Sequence, residues 1–383
     1  MPLPISPRDL IGPMSPLGIP APYPILACFK GLGFVTHMWF MHLWYAGLIL
    51  AVVAYAFGGE HHRRWGARLA KQMPVIIAVG VNFGILALLF LQVAYYRAFY
   101  PATILMAWPW FSVFFGLTLA YYGVYLYELG IRHGTLTTLR RIIGWAAAAV
   151  FLVEGFLFAN ALSLMTNIGG WPSLWLNTSV AAAPLGTGLN TADPTLWPRW
   201  LMMFGLAVLT TSAYIVADTA FFAHDETDDY RRWAGGFALK VATAGVLCFA
   251  AFGSWYVFGT WSREVRAVMF GSPHVFLTAL TAVSVGLPWL LILLGRRRLT
   301  GALAWAVVAA QVGVLTINAL SRQIVQNLEL APFINLADEP VRMQWGATIM
   351  FLVLLVLGFV VLGWIIAKVV AVNRQAAHLG PEA

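Results

Sequence analysis

Two histidines, His37 and His42, stand in a stretch running from Gly33 to His42 that otherwise reads as apolar helix. An imidazole at membrane depth needs a partner. Its neutral ring nitrogen is a good donor to haem iron, and the other nitrogen can be oriented by a hydrogen bond. On a helix turning about 100° per residue, positions five apart point about 140° from one another. His37 and His42 therefore cannot ligate one iron. Each either serves a haem of its own or bonds to a neighbouring helix.

Further candidates lie along the chain. His274 follows Gly271-Ser272-Pro273 and opens a helix, as a ligand or as an interfacial helix-start residue. Met202 offers a thioether as a second type of axial ligand, against packing as the alternative. Arg322, beside Gln323, needs an anion at membrane depth unless it snorkels to the interface, and a carboxylate such as a haem propionate suits its planar fork. Glu154 and Asp218 lie inside apolar segments and, with Gln92, are proton-relay candidates; either acid could instead be a structural hydrogen-bond partner. No Walker A sequence, complete G-x-G-x-x-G, G-x-S-x-G or H-E-x-x-H occurs. Hydrolase and nucleotide-driven readings lose support.

The elements that must position these residues are membrane spans. At 383 residues, 61% hydrophobic and 10% charged, the chain is far more apolar than a soluble domain. The net charge of +8 forms no compact basic domain that would read as a nucleic-acid surface. Two cysteines, Cys28 and Cys248, exclude a disulfide framework and a C-x-x-C-H attachment, so a haem would be held non-covalently.

Segmentation by length and polar punctuation predicts a proline-rich leader over 1–31, a single transmembrane domain over 32–371 and a short tail over 372–383. The domain holds about nine spans, near 32–57, 74–96, 102–127, 142–165, 199–223, 237–258, 274–294, 301–326 and 346–371. Lysines and arginines concentrate after the first, third, fifth and seventh spans and in the tail, which predicts an outward N-terminus and a cytoplasmic C-terminus. With that orientation His37, Met202, His274, Gln92 and the Arg322-Gln323 pair share the outer third of the membrane, and His42 lies about a turn deeper. The connection over 166–198, rich in Trp, Gly and Pro, predicts an ordered outer cap.

Several fragments resemble subunit I of the cytochrome bd quinol oxidase superfamily. Thr36-His37 resembles its haem-ligating helix, Val81-Asn82-Phe83-Gly84 its I-N-F-A stretch, and Ala159 to Met165 with Gly170-Trp171 its A-N-x-W-M segment. Pro198-Arg199-Trp200-Leu201 is similar to the start of its fifth helix, and Ser321-Arg322-Gln323 to its G-R-Q-P-W. Departures accompany the likeness. The acid of the second helix is replaced by Gln92, and that of the third falls near Pro109. The histidine ligand of the fifth helix aligns with Met202, and the methionine ligand of the seventh falls near Phe276, two residues beyond His274. The glutamate of the eighth falls near Asn318 or Ala319, and the quinol loop shrinks to Gly259–Ser272. One expectation is that the two ligand types have exchanged helices, as Met202 and His274.

The resemblance implies an all-α polytopic bundle holding more than one haem b, with quinone as a further cofactor. It implies a respiratory oxidoreductase subunit in the bacterial cytoplasmic membrane, fed by quinol or a periplasmic c-type cytochrome and joined by a second membrane subunit. Oxygen reduction is the family's reaction. The alternatives are an electron-transfer or quinol-dehydrogenase subunit that reduces no gas, and a cofactor-free transporter or assembly protein.

Overall fold

The computed structural model describes residues 5–181 and 183–379. Helix α1 (Tyr23–His42) passes through a π turn (Leu43–Gly47) into α2 (Leu48–Phe57), and α3 (Glu60–Ala94) returns. A short α4 (Tyr96–Leu105) precedes α5 (Ala107–Arg132) and α6 (Thr138–Thr166). After a connection carrying α7 (Trp171–Asn177) and a two-residue hairpin, β1 (Ser179–Val180) with β2 (Ala183–Pro184), come α8 (Leu196–Phe221) and α9 (Asp228–Ser254). A second π turn (Trp255–Thr260), α10 (Arg263–Met269), α11 (Val275–Ser284), α12 (Gly286–Gly295), α13 (Gly301–Leu330) and α14 (Trp345–Leu379) complete the order.

Eight helical stretches among the described residues are long and apolar enough to cross a membrane, α1–α2 and α11–α12 each counting as one. The chain is thus an all-α, polytopic integral membrane protein. In α14 the apolar stretch Trp345–Val361 is shorter than that criterion.

Boundaries differ from the sequence expectation where polar residues continue a helix. Helix α3 starts at Glu60, well before the expected 74, because hydropathy registers only its apolar half. The preceding turns are held by charge pairing, with Arg64 Nη2 donating to Glu60 at 2.6 Å one turn back. Helix α1 starts at Tyr23, inside the expected leader, since Pro24 in the first turn of a helix forfeits only an amide that has no partner there. Helix α14 runs to Leu379, so the tail expected from 372 is helical as far as it is described. Residues 1–4 of the leader and 380–383 of the tail lie outside the described residues.

The chain divides into two compact units. The first comprises Met1–Pro13 and Ala27–Asn335 and contains every candidate site residue. Its innermost spans are α8 and α1–α2, with 67% and 61% of their apolar windows buried, against 39% or less in the others. Helices α8 and α9 approach closely because Gly205 and Gly245 face backbone: a Cβ at either would lie 2.6 Å from an amide nitrogen of the opposite helix. Outer helices turn aromatic side chains outward, as α5 does with Trp108, Phe111, Phe114 and Phe115. The second unit comprises Met14–Leu26 and Leu336–Ala383. In it the Ile19 amide donates to Pro340 O at 2.8 Å and the Arg342 amide to Ile19 O at 3.0 Å, beside α14.

The connection over 166–198 is an ordered cap. Trp171 is fully buried and donates through Nε1 to Leu164 O at 2.8 Å. Asn190 ties the cap to α6, its amide donating to Asn160 Oδ1 at 2.8 Å and its side chain to Ser163 Oγ at 3.0 Å.

Candidate functional site

The most buried helices carry the most informative side chains. His42, Thr210 and Gln311, from α1, α8 and α13, are all fully enclosed. His42 Nδ1 lies 2.8 Å from Thr210 Oγ1, and Gln311 Nε2 donates to the same oxygen at 2.9 Å. The Thr210 hydroxyl has one proton, which it gives to Leu206 O at 3.0 Å on its own helix. Its oxygen can then only accept from the other two. With the hydroxyl proton on Leu206 O, the proton of His42 sits on Nδ1 and Nε2 is a bare lone pair. That atom is buried without a hydrogen-bond partner, as is Gln311 Oε1.

His37 follows the same rule on another face. Its Nδ1 lies 2.8 Å from Gly80 O in α3, and a carbonyl can only accept, so Nδ1 carries the proton and Nε2 again is free. The ring sits against two glycines of α3. A Cβ at position 84 would lie 2.8 Å from its Cε1 and Nδ1, and one at position 80 would lie 2.3 Å from the Trp44 ring, which meets the His37 ring edge-on at 5.7 Å. His37 turns to α3 whereas His42 turns to α8 and α13, as the 140° separation requires. The π turn begins directly after His42 and all five of its residues are buried, placing Trp44 on Gly80 and the Tyr45 ring on Gly155. Insertions of this kind recur at functional sites.

Nearer the C-terminal end of α13, Arg322 stacks on the Phe34 ring, its guanidinium carbon 4.8 Å from the centroid, one turn from His37 along α1. No ion pair to Arg322 occurs among the described residues. Its carboxylate neighbour Glu329 is taken by Arg199 of α8, which also lies over the Tyr256 ring at 5.0 Å. Lys30 brings a second cation within electrostatic range of Arg322 and stands over Tyr95 at 4.7 Å. Gln323 donates to the Tyr95 hydroxyl and to Asn327, so it braces α13 against Tyr95.

The remaining candidates separate. Met202 lies against Gly253 and the cluster of Tyr256, Trp261 and Val325, which makes it a packing residue beside Arg199. His274 is the residue before α11, and no contact among the described residues joins its side chain to Met202. A turn after α10 (Arg263–Met269) leads into His274, directly before α11. Gln92 is half-buried with no hydrogen bond to another candidate. Asp218 is the anion of a buried ion pair: Arg68 grips both its oxygens, at 2.7 and 3.0 Å, and Gln72 donates to one of them at 3.0 Å. A carboxylate held that way is a structural partner, the second of its two sequence readings. Glu154, in contrast, is buried with Oε1 unpartnered.

Thr210, Gln311, Lys30 and Arg68 were not singled out from the sequence. The criterion that flagged Gln92, a polar side chain inside an apolar run, would have found Gln311. Nothing in the sequence distinguishes Thr210 from the neighbouring Thr211 and Ser212, since the difference lies in which helix each faces.

No group of three or more His, Cys, Asp or Glu side chains is placed to hold a metal ion among the described residues. A haem brings four nitrogen ligands of its own and asks the protein for only one or two; partly buried His37 offers an unpartnered Nε2 for that role, whereas Nε2 of His42 is sealed by its neighbours, which would have to move to admit an iron. No family model matches the chain, and no curated protein is detectably similar to it.

Proposed function

We propose that this chain is a haem-b-binding membrane subunit of a respiratory oxidoreductase, related to cytochrome bd subunit I. In this reading α14 is a ninth span, the N-terminus faces outward, the C-terminus is cytoplasmic, and the protein resides in a bacterial cytoplasmic membrane. The observation that carries the reading is the pair of histidines on α1, each fixed by a hydrogen bond at Nδ1 and each with its Nε2 lone pair free. Orientation of that kind by an outer hydrogen bond is what an iron-ligating imidazole needs.

Haem b supplies one-electron redox chemistry when bound. The protein's part is to present Nε2 of His37 and His42 and to keep the surroundings of His42 free of bulk water. Arg322 and Lys30, each resting on an aromatic ring and with no ion pair among the described residues, would neutralise a haem carboxylate at the outer level. Electrons would come from quinol or a c-type cytochrome, and a second membrane subunit would cover part of the apolar surface.

The test is a reduced-minus-oxidised spectrum of the purified protein with haem extraction. A b-type spectrum that loses a component in His42→Ala or His37→Ala supports the reading. Purified protein without a Soret band refutes it and favours a cofactor-free transporter or assembly protein. Oxygen consumption with a quinol then separates an oxidase from an electron-transfer subunit.

A further inference from the structure

Glu154 stands near the middle of α6, twelve residues or about 18 Å from its outer end, and is 7% exposed. Its Oε1 is sealed and has no hydrogen-bond partner. It fits the space left by a missing side chain on α5, since a Cβ at Gly116 would lie 2.4 Å from it and 3.4 Å from Val150 Cγ1. Among the described residues no ion pair or hydrogen bond reaches Glu154; the nearest titratable side chain on a packed element is Tyr45 of the π turn, whose ring lies on the adjacent Gly155. Glu154 and Asp218 are both buried acids on spanning helices, and their surroundings are opposite: Asp218 has a guanidinium and an amide on its oxygens.

We propose that Glu154 is an intramembrane proton-binding site, protonated at rest and seated in the slot opposite Gly116. An unpaired carboxylate in such surroundings carries the full desolvation penalty of an isolated charge, and the group takes up a proton instead. A hard metal cation is a poor alternative occupant, because it requires several oxygen ligands and no second acid joins Glu154 in a metal-binding group among the described residues. Oε1 lies against Gly116, so proton exchange runs through Oε2. The carboxyl is then a store that takes a proton from, and returns it to, whatever chemistry the neighbouring helices carry out.

The site is tested on the full-length protein in its membrane with dicyclohexylcarbodiimide, which is lipid-soluble and reacts with protonated carboxyls. The carboxyl proton passes to a carbodiimide nitrogen, the carboxyl oxygen adds to the central carbon, and an oxygen-to-nitrogen acyl shift leaves a stable acylurea. Peptide mass spectrometry should find the adduct on Glu154 and none on Asp218. Infrared spectra should contain a protonated-carboxyl C=O band that E154Q removes. An unmodified Glu154, an adduct on Asp218 in its place, or a band unchanged in E154Q would overturn the proposal. Should E154Q fail to fold, Gly116→Ala serves instead: its Cβ expels Oε1 from the slot and should change the labelling rate several-fold, and an unchanged rate counts against the site. None of these readouts depends on bound haem, so this proposal and the haem reading can fail separately.

Discussion

Replacing Thr210 with valine keeps the shape of the side chain and removes the oxygen on which His42 and Gln311 converge. Two buried N–H groups then lose their acceptor. Moving the imidazole proton to Nε2 gives no relief, because that atom is also enclosed without a partner. In a water-soluble core two orphaned donors would cost about 2–6 kcal/mol together, at about 1–3 each. Within a bilayer the unfolded reference state also finds partners, and interhelical hydrogen bonds measured there average about 0.6 kcal/mol with a maximum near 1.7. The membrane value governs here, so the expected loss for T210V is about 1–3 kcal/mol, and T210S, which keeps the oxygen, should recover most of it. The assay is reversible unfolding in mixed micelles, with a double-mutant cycle through Gln311→Leu. The cycle should return a coupling of about 0.5 kcal/mol or more, since both donors share one acceptor. Nitrogen NMR of haem-free protein labelled at histidine gives the direct check. His42 should show a protonated Nδ1 and a bare Nε2 in the wild type, and T210V should change that signature. A wild-type His42 protonated at Nε2 would refute the tautomer argument outright, and with it the main support for iron ligation.

Other perturbations follow from the same structure. Arg68→Gln strands the fully buried Asp218 carboxylate and should destabilise by about 3–5 kcal/mol, with Arg68→Lys intermediate because it loses the two-point grip; a thermal melt within about 1 kcal/mol of wild type would contradict the buried pair. Gly84→Ala places a methyl 2.8 Å from the His37 ring and should cost about 1–3 kcal/mol through overpacking. In haem-loaded protein it should also alter the spectral component that His37→Ala removes, and a spectrum indifferent to both changes would take His37 out of the site. Arg199→Gln leaves Glu329 without its cation, and the double variant with Glu329→Gln should be more stable than the single one, as read by unfolding in micelles; equal stability would mean that the pair is decorative.

The membrane class was legible because it rests on sums over long windows, and nearly every span lies where hydropathy put it. The errors fall where a helix ceases to be apolar yet remains a helix. The first turns of α3 hold Glu60, His61, His62, Arg63 and Arg64, which no apolar window includes, and they stay helical through i,i+4 charge pairing and through Arg64 reaching Glu226 at 3.1 Å. Likewise the position of Tyr256 beside Arg199 depends on a π turn, and a single inserted residue rotates everything after it without changing composition.

Site residues were legible by type and not by partner. His37 and His42 were found because an imidazole in an apolar helix is conspicuous, and their divergence followed from helix geometry alone. Met202 and His274 were paired through the family's ligand positions, and the azimuth of His274 is set by the turn between α10 and α11, which no hydropathy window reads. Glu154 and Asp218 make the same point most sharply. Each is one acid in an apolar span, and from the sequence they are interchangeable candidates for moving protons. The difference comes from the helices opposite them, an arginine and a glutamine on α3 for Asp218, a glycine on α5 for Glu154. A guanidinium holds the first carboxylate in place through two charged hydrogen bonds. A glycine gives Oε1 of the second nothing to bond, and that unpartnered oxygen is what the proposed proton site rests on.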